Sequence, residues 1–477
     1  MDKANFGMIG LGTMGRNFLL NVAEHGIAGV GYDLDAAKRE LLLTEGKGMP
    51  VDVAKDVAEF LDKLQSPRNI MLLVPAGPIV DAVIGELTPH LNADDLIIDG
   101  GNSHFTDTDR RIKELSTHGI GFMGVGVSGG EEGARHGASI MPGGTREHYD
   151  RVEDILKAVS AKVDGEPCVA YMGKGSAGHF VKMVHNGIEY GLMQIIGETY
   201  DYFRRAKGLS AGEIATIFAK WNTTELNSFL VEITAIVLNK VDPVTGNFLV
   251  DEVLDEAGQK GTGKWTSQAA LDLGIPIPTI DSAVSMRQIS ALRGVRDAVG
   301  GVFGKELADT SSPIEEDEMH SALTAAFIIT YAQGMSLLQA ASKEMDYGLD
   351  LAATSKIWRG GCIIRSAMLE EMRKAFADAP DLESLMVDPD FSEVLKKHGG
   401  GLRKMVSACL RHGIPALSLS SASNYYDAFR AGKLPANLIQ AQRDFFGAHT
   451  YKRVDKEGVF HSPDWDVNAK DAGGSSK

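Results

Sequence analysis

At 477 residues the chain is too long for one ordinary hydrophobic core, and roughly two to four domains is the range such a length implies. Hydrophobic residues make up 44% and charged residues 23%, which excludes a disordered chain. With 48 basic against 64 acidic residues the net charge is −16, which argues against nucleic acid or an anionic membrane as partner, so an anionic substrate must meet local positive groups.

The first strand is expected within ten residues of Met1, which leaves no room for a signal peptide. No apolar run approaches the ~18 residues of a membrane span. Cys168, Cys362 and Cys409 are odd in number and widely spaced, so neither a disulfide framework nor a zinc site is expected, and no ligand cluster for a metal is found. A reducing cytoplasm fits that usage.

Compact apolar runs at 6–9, 28–32, 70–74, 96–98 and 121–125 alternate with helical stretches through the first third of the chain. Buried parallel strands in βαβ units read this way. Gly10-Leu11-Gly12-Thr13-Met14-Gly15 follows the first run at once and matches G-x-G-x-x-G. Its glycines serve a tight turn, backbone approach to a pyrophosphate and close helix packing, and the next helix aims free N–H groups at the phosphates. Asp33 follows the second run, where such folds place the acidic residue that meets the adenosine ribose. Strand, loop, helix, strand and acid together point to a Rossmann-like dinucleotide domain over 1–177.

Two further loops leave buried runs. In 98–103 (IDGGNS), Asn102 is expected at a strand's carboxyl end, where ligands bind in such folds. In 124–130 (GVGVSGG), successive N–H groups and the Ser128 hydroxyl are expected to form a nest for a carboxylate; the plainer reading is a flexible turn.

From about Gly178 helical patterns dominate, at 178–207, 211–238, 263–272, 280–300, 313–345, 350–376 and 390–412. An all-α domain over 178–434 follows. In the first of these, Lys182, His185, Asn186 and Glu189 fall at i, i+3, i+4 and i+7, on one face of an otherwise apolar helix. Most charged stripes are solvated surface, but burying Lys and Glu costs several kcal/mol unless they are paired or used. Gly187 and Gly191 lie beside this face and also argue for use. A Lys and a separate carboxylic acid suit oxidation followed by loss of CO2: one takes the hydroxyl proton, the other protonates the resulting enediol.

Ser312-Pro313-Ile314-Glu315 reads as a capping box with Pro at the first helical position, opening a core helix that is apolar on all sides over 322–329. Gly208-Leu209 before Trp221 is echoed by Gly348-Leu349 before Trp358, each after a long helix, which hints at a duplicated unit. Lys260, Arg287 and Arg443 are isolated bases that spacing alone does not bring together, and each alone reads as a surface charge. Residues 435–477 read as an extended tail.

Taken together, 97–103, 124–144, 181–190, 258–265 (GQKGTGKW) and 442–451 (QRDFFGAHTY) resemble the 6-phosphogluconate dehydrogenase family, with a match running over nearly the whole chain. The resemblance implies oxidative decarboxylation of 6-phosphogluconate to ribulose 5-phosphate and CO2, with hydride passing to NAD(P), and a homodimer whose tails reach the partner subunit. It implies Lys182 as base and Glu189 as acid. Asn102, Ser128, Gly129, Gly130, His185 and Asn186 would hold the carboxylate and hydroxyls. Tyr190, Lys260, Arg287 and, from the other subunit, Arg443 would hold the phosphate, with His449 beside them. The cofactor would meet Gly10, Leu11, Gly12, Thr13, Met14, Gly15, Asp33, Leu34, Val74, Pro75, Ala76 and Asn102.

Three positions depart from the family pattern. Ala138 replaces a common Pro, Asp33-Leu34-Asp35 replaces Asn-Arg-Thr, and Pro75 replaces a Lys. The last two remove cations from the place of a 2′-phosphate, so NAD is expected as the preferred cofactor, with NADP weaker. Two other readings stand at this point: a β-hydroxyacid dehydrogenase acting on an unphosphorylated acid, and a dinucleotide-sensing protein without catalysis. The first does not account for Lys260, Arg287 and the tail; turnover separates out the second.

Overall fold

The computed structural model describes residues 3–304 and 313–465. Seven strands form one sheet: β1 (Phe6–Ile9), β2 (Gly29–Tyr32), β3 (Val51–Val53), β4 (Asn69–Leu72), β5 (Leu96–Asp99), β6 (Gly121–Ser128) and β7 (Ser139–Gly143). Their order is β3-β2-β1-β4-β5-β6-β7, parallel except for β7, which pairs antiparallel with β6. Strand periodicity feeds two cores: Phe6, Met8, Leu96 and Ile98 enter one, Ile9 and Ile97 the other. Helices covering both faces make this the expected Rossmann-like domain, with the order reversing between β1 and β4, where such sheets bind ligands.

Five strands fall where the apolar runs predict them, and two were not anticipated. β3 is three residues long with Asp52 at its centre. β7 contains Pro142 and Gly143, which read as breakers but are tolerated on this edge strand. The 124–130 loop is also corrected. β6 runs through Ser128, so only Gly129 and Gly130, at φ 114° and 62°, make a turn before helix Gly130–His136.

A two-residue hairpin, Lys162–Val163 with Glu166–Pro167, follows, and most of the rest is helical. Helix Ala177–Arg205 spans 29 residues and crosses helix Glu316–Glu344, also 29 residues. Three of the long predicted patterns are each two helices: Ala211–Trp221 with Phe229–Leu238, Pro278–Ala291 with Arg293–Phe303, and Leu351–Trp358 with Met368–Asp378. At the first break the Thr223 and Thr224 hydroxyls donate to the carbonyls of Lys220 and Trp221, competing with helical bonding. The predicted capping box is displaced. Glu315 is the N-cap and Glu318 its reciprocal partner, so Pro313 and Ile314 precede the helix; Ser312 lies outside the described residues. Helix Glu316–Glu344 is, against expectation, long and apolar enough to cross a membrane by length and composition. It is nonetheless a core helix, 89% of its most apolar window being buried inside the fold.

The repeat is real in outline. Each 29-residue helix is followed by a glycine of positive φ (Gly208, 68°; Gly348, 70°), a leucine, an N-cap (Ser210; Asp350) and a short helix ending in Trp221 or Trp358. Ser228 and Ser366, which lead into the next helix of each copy, bridge one another: Phe229 N–H donates to Arg365 O and Ala367 N–H to Asn227 O.

The described residues from 424 to 465 form a second compact unit, and up to residue 465 the C-terminal stretch is not an extended tail. Helix Ala436–Gly447 leads to a bridge between Tyr451 and Phe460, and the buried Asp444 carboxylate accepts from Thr450 N–H, Ser462 N–H and Trp465 Nε1–H, with His461 Nδ1 3.0 Å away. Burial opposes its ionisation, but those donors outweigh it and hold the carboxyl well below the usual range.

Candidate active site

The nucleotide loop forms at the carboxyl end of β1. Gly10 sits at φ 93°, its N–H bonded to Tyr32 O, and a Cβ there would lie 2.5 Å from Leu73 O. A Cβ on Gly15 would stand 1.9 Å from Gly10 O. Gly12 differs: nothing of the protein lies within 4 Å of a Cβ there, so its bareness serves something other than the fold. Gly12 is also the N-cap of helix Thr13–Glu24, with no side chain covering the helix start. Open N–H groups beside an unfilled backbone approach fit a dinucleotide pyrophosphate.

Asp33 closes the loop from β2. Its Oδ2 accepts from Leu11 N–H at 2.8 Å and its Oδ1 from Asp35 N–H at 2.9 Å. Burial pushes its pKa up, but these N–H groups and Lys38, 3.4 Å away, leave it lowered and ionised. Arg39 donates to the carbonyls of Asp33 and Leu34. The Leu34 side chain is 86% exposed and offers no polar group. Val74 stands against Gly10 from the loop after β4, and Pro75 and Ala76 follow it in the same loop.

The polar face lies on helix Ala177–Arg205, packed directly on β6. A Cβ on Gly126 would come 2.4 Å from Lys182 Cβ, so glycine there lets the helix lie down on the strand. Lys182 and His185 are buried, and Asn186 and Glu189 half-buried. Asn186 Oδ1 accepts from His185 Nδ1–H at 3.1 Å, which leaves His185 Nε2 to accept from the Ser128 hydroxyl at 3.3 Å. Burial, reinforced by the Lys182 charge, holds His185 far below its ordinary pKa and therefore neutral. Glu189 Oε2 lies 3.9 Å from His185 Nδ1. Burial moves the two expected catalytic groups toward each other: Lys182 is lowered from 10.5 despite Glu189, and Glu189 is raised from 4.5 despite Lys182 and Arg287. A lysine nearer to giving up its proton and a carboxylic acid nearer to keeping one is the pairing that base-then-acid chemistry needs.

Gly187 and Gly191 have a simpler cause than the polar face. Their missing Cβ atoms would meet Thr266 and Thr330 at 2.6 Å, so they let neighbouring helices approach. Arg287 stacks 3.4 Å from the Tyr190 ring centre and donates to Gly258 O, two residues before the exposed Lys260. The structure thus gathers Ser128, the 182–189 face, Tyr190, Arg287 and the Lys260 loop. Asn102, exposed, lies between Gly101 and Ser103, and the Asp99 carboxylate accepts from Gly101 N–H, the Ser103 hydroxyl and Arg111. Arg443 and His449 belong to the second compact unit, where Arg443 donates to Gln440 and His449 stacks edge-on with Phe446.

Several supporting groups carry no motif in the sequence. Buried His179, one turn before Lys182, has Nε2 3.0 Å from Asp99 O and Nδ1 2.7 Å from the Thr108 hydroxyl. Cys362 lies in the electrostatic reach of Lys182, its thiol pushed up to about 12 by burial and donating to Trp358 O. The expectation of no metal-ligand cluster also fails among the described residues: Glu225, His320 and His398 converge elsewhere in the helical domain.

Family models match both parts: the NAD binding domain of 6-phosphogluconate dehydrogenase over residues 5–173, and the 6-phosphogluconate dehydrogenase C-terminal domain over 178–465. The chain is 49% identical over 465 residues to a Bacillus subtilis protein described as 6-phosphogluconate dehydrogenase, NADP(+)-dependent, decarboxylating, covering 97% of this chain and 99% of that one. Identity is 48% over 455 residues to 6-phosphogluconate dehydrogenase, decarboxylating 1, of Saccharomyces cerevisiae, covering 94% and 93%. The solved Plasmodium falciparum 6-phosphogluconate dehydrogenase superposes with a TM-score of 0.93 at 41% identity, covering 96% of this chain and all of that one. In sequence, in fold and along its full length, this chain belongs to the 6-phosphogluconate dehydrogenase family.

Proposed function

We propose that the protein oxidises and decarboxylates 6-phosphogluconate to ribulose 5-phosphate and CO2, with NAD preferred over NADP. The observation that carries this reading is the buried pair Lys182 and Glu189, with pKa values drawn in opposite directions on one helix face beside Ser128 and His185. A nicotinamide dinucleotide whose pyrophosphate is held at the Gly10–Gly15 loop would supply the hydride acceptor. Neutral Lys182 takes the proton of the C3 hydroxyl as that carbon is oxidised. The ketone so formed is β to the carboxylate. Lys182, now an ammonium, donates to the ketone oxygen while the C1–C2 bond breaks and CO2 leaves. Glu189 then protonates C2 of the enediol, now the terminal carbon, as the C3 hydroxyl returns its proton to Lys182 and becomes the ketone of the product. Ser128, Gly129, Gly130, Asn102 and Asn186 hold the carboxylate and hydroxyls, and His185 acts as a neutral partner of Ser128. Tyr190, Arg287 and Lys260 hold the phosphate, which weighs against an unphosphorylated substrate.

The NAD preference is argued from this chain's own residues, Asp33 and Leu34, although the Bacillus subtilis relative is described as NADP-dependent. The protein is further proposed to work in the cytoplasm as a homodimer, with Arg443 and His449 completing the partner's site. Exposed Val295, Val299, Val302 and Phe303 along helix Arg293–Phe303 support association. The test is a turnover assay with 6-phosphogluconate and each cofactor, trapping CO2, on wild type, Lys182→Met and Glu189→Gln. Lys182→Met is expected to lose oxidation, and Glu189→Gln to bind substrate yet lose at least ~100-fold in turnover. Near-wild-type turnover by either variant overturns the assignment; no turnover by the wild type favours a sensor.

A further inference from the structure

The duplicated helical unit builds a second polar cluster that the proposed chemistry does not use. Each copy's tryptophan meets the long helix of the other: Trp358 of the second copy stands edge-on to His185 of the first, ring centres 5.6 Å apart, and Lys182 is the sixth residue of that first helix. Reciprocally, Trp221 of the first copy stands edge-on to His320 at 5.5 Å, and His320 is the fifth residue of the second long helix. The segment after Trp221 brings Glu225 to His320, and helix Pro389–His412 brings His398. One ligand atom from each lies within 4.8 Å of the other two.

We propose that Glu225, His320 and His398 form a binding site for a divalent transition metal of borderline softness, zinc foremost, remote from the catalytic face. Two imidazoles and a carboxylate are the donor set such ions take, with the fourth position left to solvent on the side of the half-exposed Glu225. His398 is only 5% exposed, yet its Nδ1 has no hydrogen-bond partner and its Nε2 faces Glu225 Oε1 at 3.3 Å. An outer partner for His320 is already in place. The Thr224 hydroxyl donates to Trp221 O at 2.6 Å, so toward His320 Nε2, 2.9 Å away, it is an acceptor. That bond fixes the hydrogen on Nε2, leaving the lone pair on Nδ1 and setting the ring as outer partners of metal-bound histidines do. The two imidazole centres are 6.3 Å apart, whereas tetrahedral zinc at about 2.0–2.1 Å from each nitrogen sets them roughly 5 Å apart. Closing about 1 Å falls to rotation of the His320 and His398 side chains on their two helices, while Glu225, on a connecting segment, can follow. The site is also far from the catalytic face. The two long helices cross where Gly191 meets Thr330, and His320 lies ten residues before that, about 15 Å along the helix. Bound metal would pin the connecting segment to two core helices.

The test uses the full chain without an affinity tag, stripped with a chelator and titrated with zinc chloride by calorimetry, then with cobalt(II) followed by visible absorption. One zinc per chain is expected, with cobalt bands of a four-coordinate nitrogen and oxygen site. Glu225→Gln and His320→Gln should each weaken binding at least ~10-fold, with unchanged circular dichroism showing that the fold is kept. His398→Gln is buried and is read only if it folds. Absence of saturable one-per-chain binding, or equal binding by wild type, Glu225→Gln and His320→Gln, overturns the proposal and leaves His398 and Glu225 as an ordinary ion pair.

Discussion

Exchanging the two residues that end β2, Asp33→Asn with Leu34→Arg, tests cofactor choice most directly. In the wild type a 2′-phosphate would stand near the Asp33 carboxylate. At ~4 Å and an effective dielectric of about 20, a unit like-charge pair costs up to ~4 kcal/mol. Lys38 offsets part of this, but it lies 3.4 Å from Asp33 with its side chain 43% exposed, and such pairs contribute about 1 kcal/mol or less. Arg39 is turned into the carbonyls of Asp33 and Leu34. Even if both bases cancel two-thirds of the repulsion, about 1.4 kcal/mol remains, a tenfold preference for NAD in kcat/KM. The substitution also has a structural cost. Asp33 serves Leu11 N–H and Asp35 N–H with different oxygens, and asparagine has only one. Leaving one N–H unsatisfied costs about 1–3 kcal/mol, so the double variant should lose efficiency with both cofactors. The ratio is therefore the readout, from initial rates of reduced nicotinamide formation at saturating 6-phosphogluconate. The expected result is a ratio favouring NAD at least tenfold in the wild type, moving at least ~10-fold toward NADP in the variant. A wild type that prefers NADP, or a ratio that does not move, refutes the reasoning.

The pH profile of kcat/KM should be bell-shaped with both limbs between 4.5 and 10.5, because burial lowers Lys182 from the upper value and raises Glu189 from the lower. Activity falls on the acid side as the base takes up its proton and on the alkaline side as the acid loses one; the apparent values belong to the coupled pair, and Glu189→Gln should remove one limb. A limb outside that window counts against the assignment. Gly126→Ala should keep the sheet but displace Lys182, whose Cβ would lie 2.4 Å from the new methyl; a drop in kcat of at least ~10-fold with an unaltered circular dichroism spectrum is expected, and unchanged kcat contradicts the packing argument. Mixing Lys182→Met subunits with Arg443→Ala subunits should restore activity, since one hybrid site is complete, and verified heterodimers without activity would exclude a site shared in trans.

What could be seen in the sequence followed physical locality. The glycine loop, Asp33 and the 182–189 face are short-range patterns, where spacing along one element fixes which groups share a face. The short strand β3 and the Pro-containing edge strand β7 were missed because their pairing, not their composition, makes them strands. The fold of the C-terminal unit was missed for a related reason: a single buried carboxylate, Asp444, gathers donors 6 to 21 residues away, and no periodicity announces that. Gly187 and Gly191 were assigned to chemistry although they belong to helix crossing, since a glycine's neighbour across a packing interface is not written beside it. His179, Arg111 and the Glu225–His320–His398 convergence are likewise long-range.

The bond from His179 to Asp99 has a mechanical consequence. It ties the base of the Asn102 loop to the helix of Lys182 one turn before that lysine, while Gly178 and Gly143, with Gly126 beside Lys182, lie too close to admit a side chain. The half of the sheet formed by β5, β6 and β7 is thereby bolted to the helix that carries Lys182. The other half, β1 to β3, carries the Gly10–Gly15 loop and Asp33. Any relative motion of the two halves must then flex the sheet near its point of strand reversal, and Asn102, Ser128 and Lys182 travel as one piece.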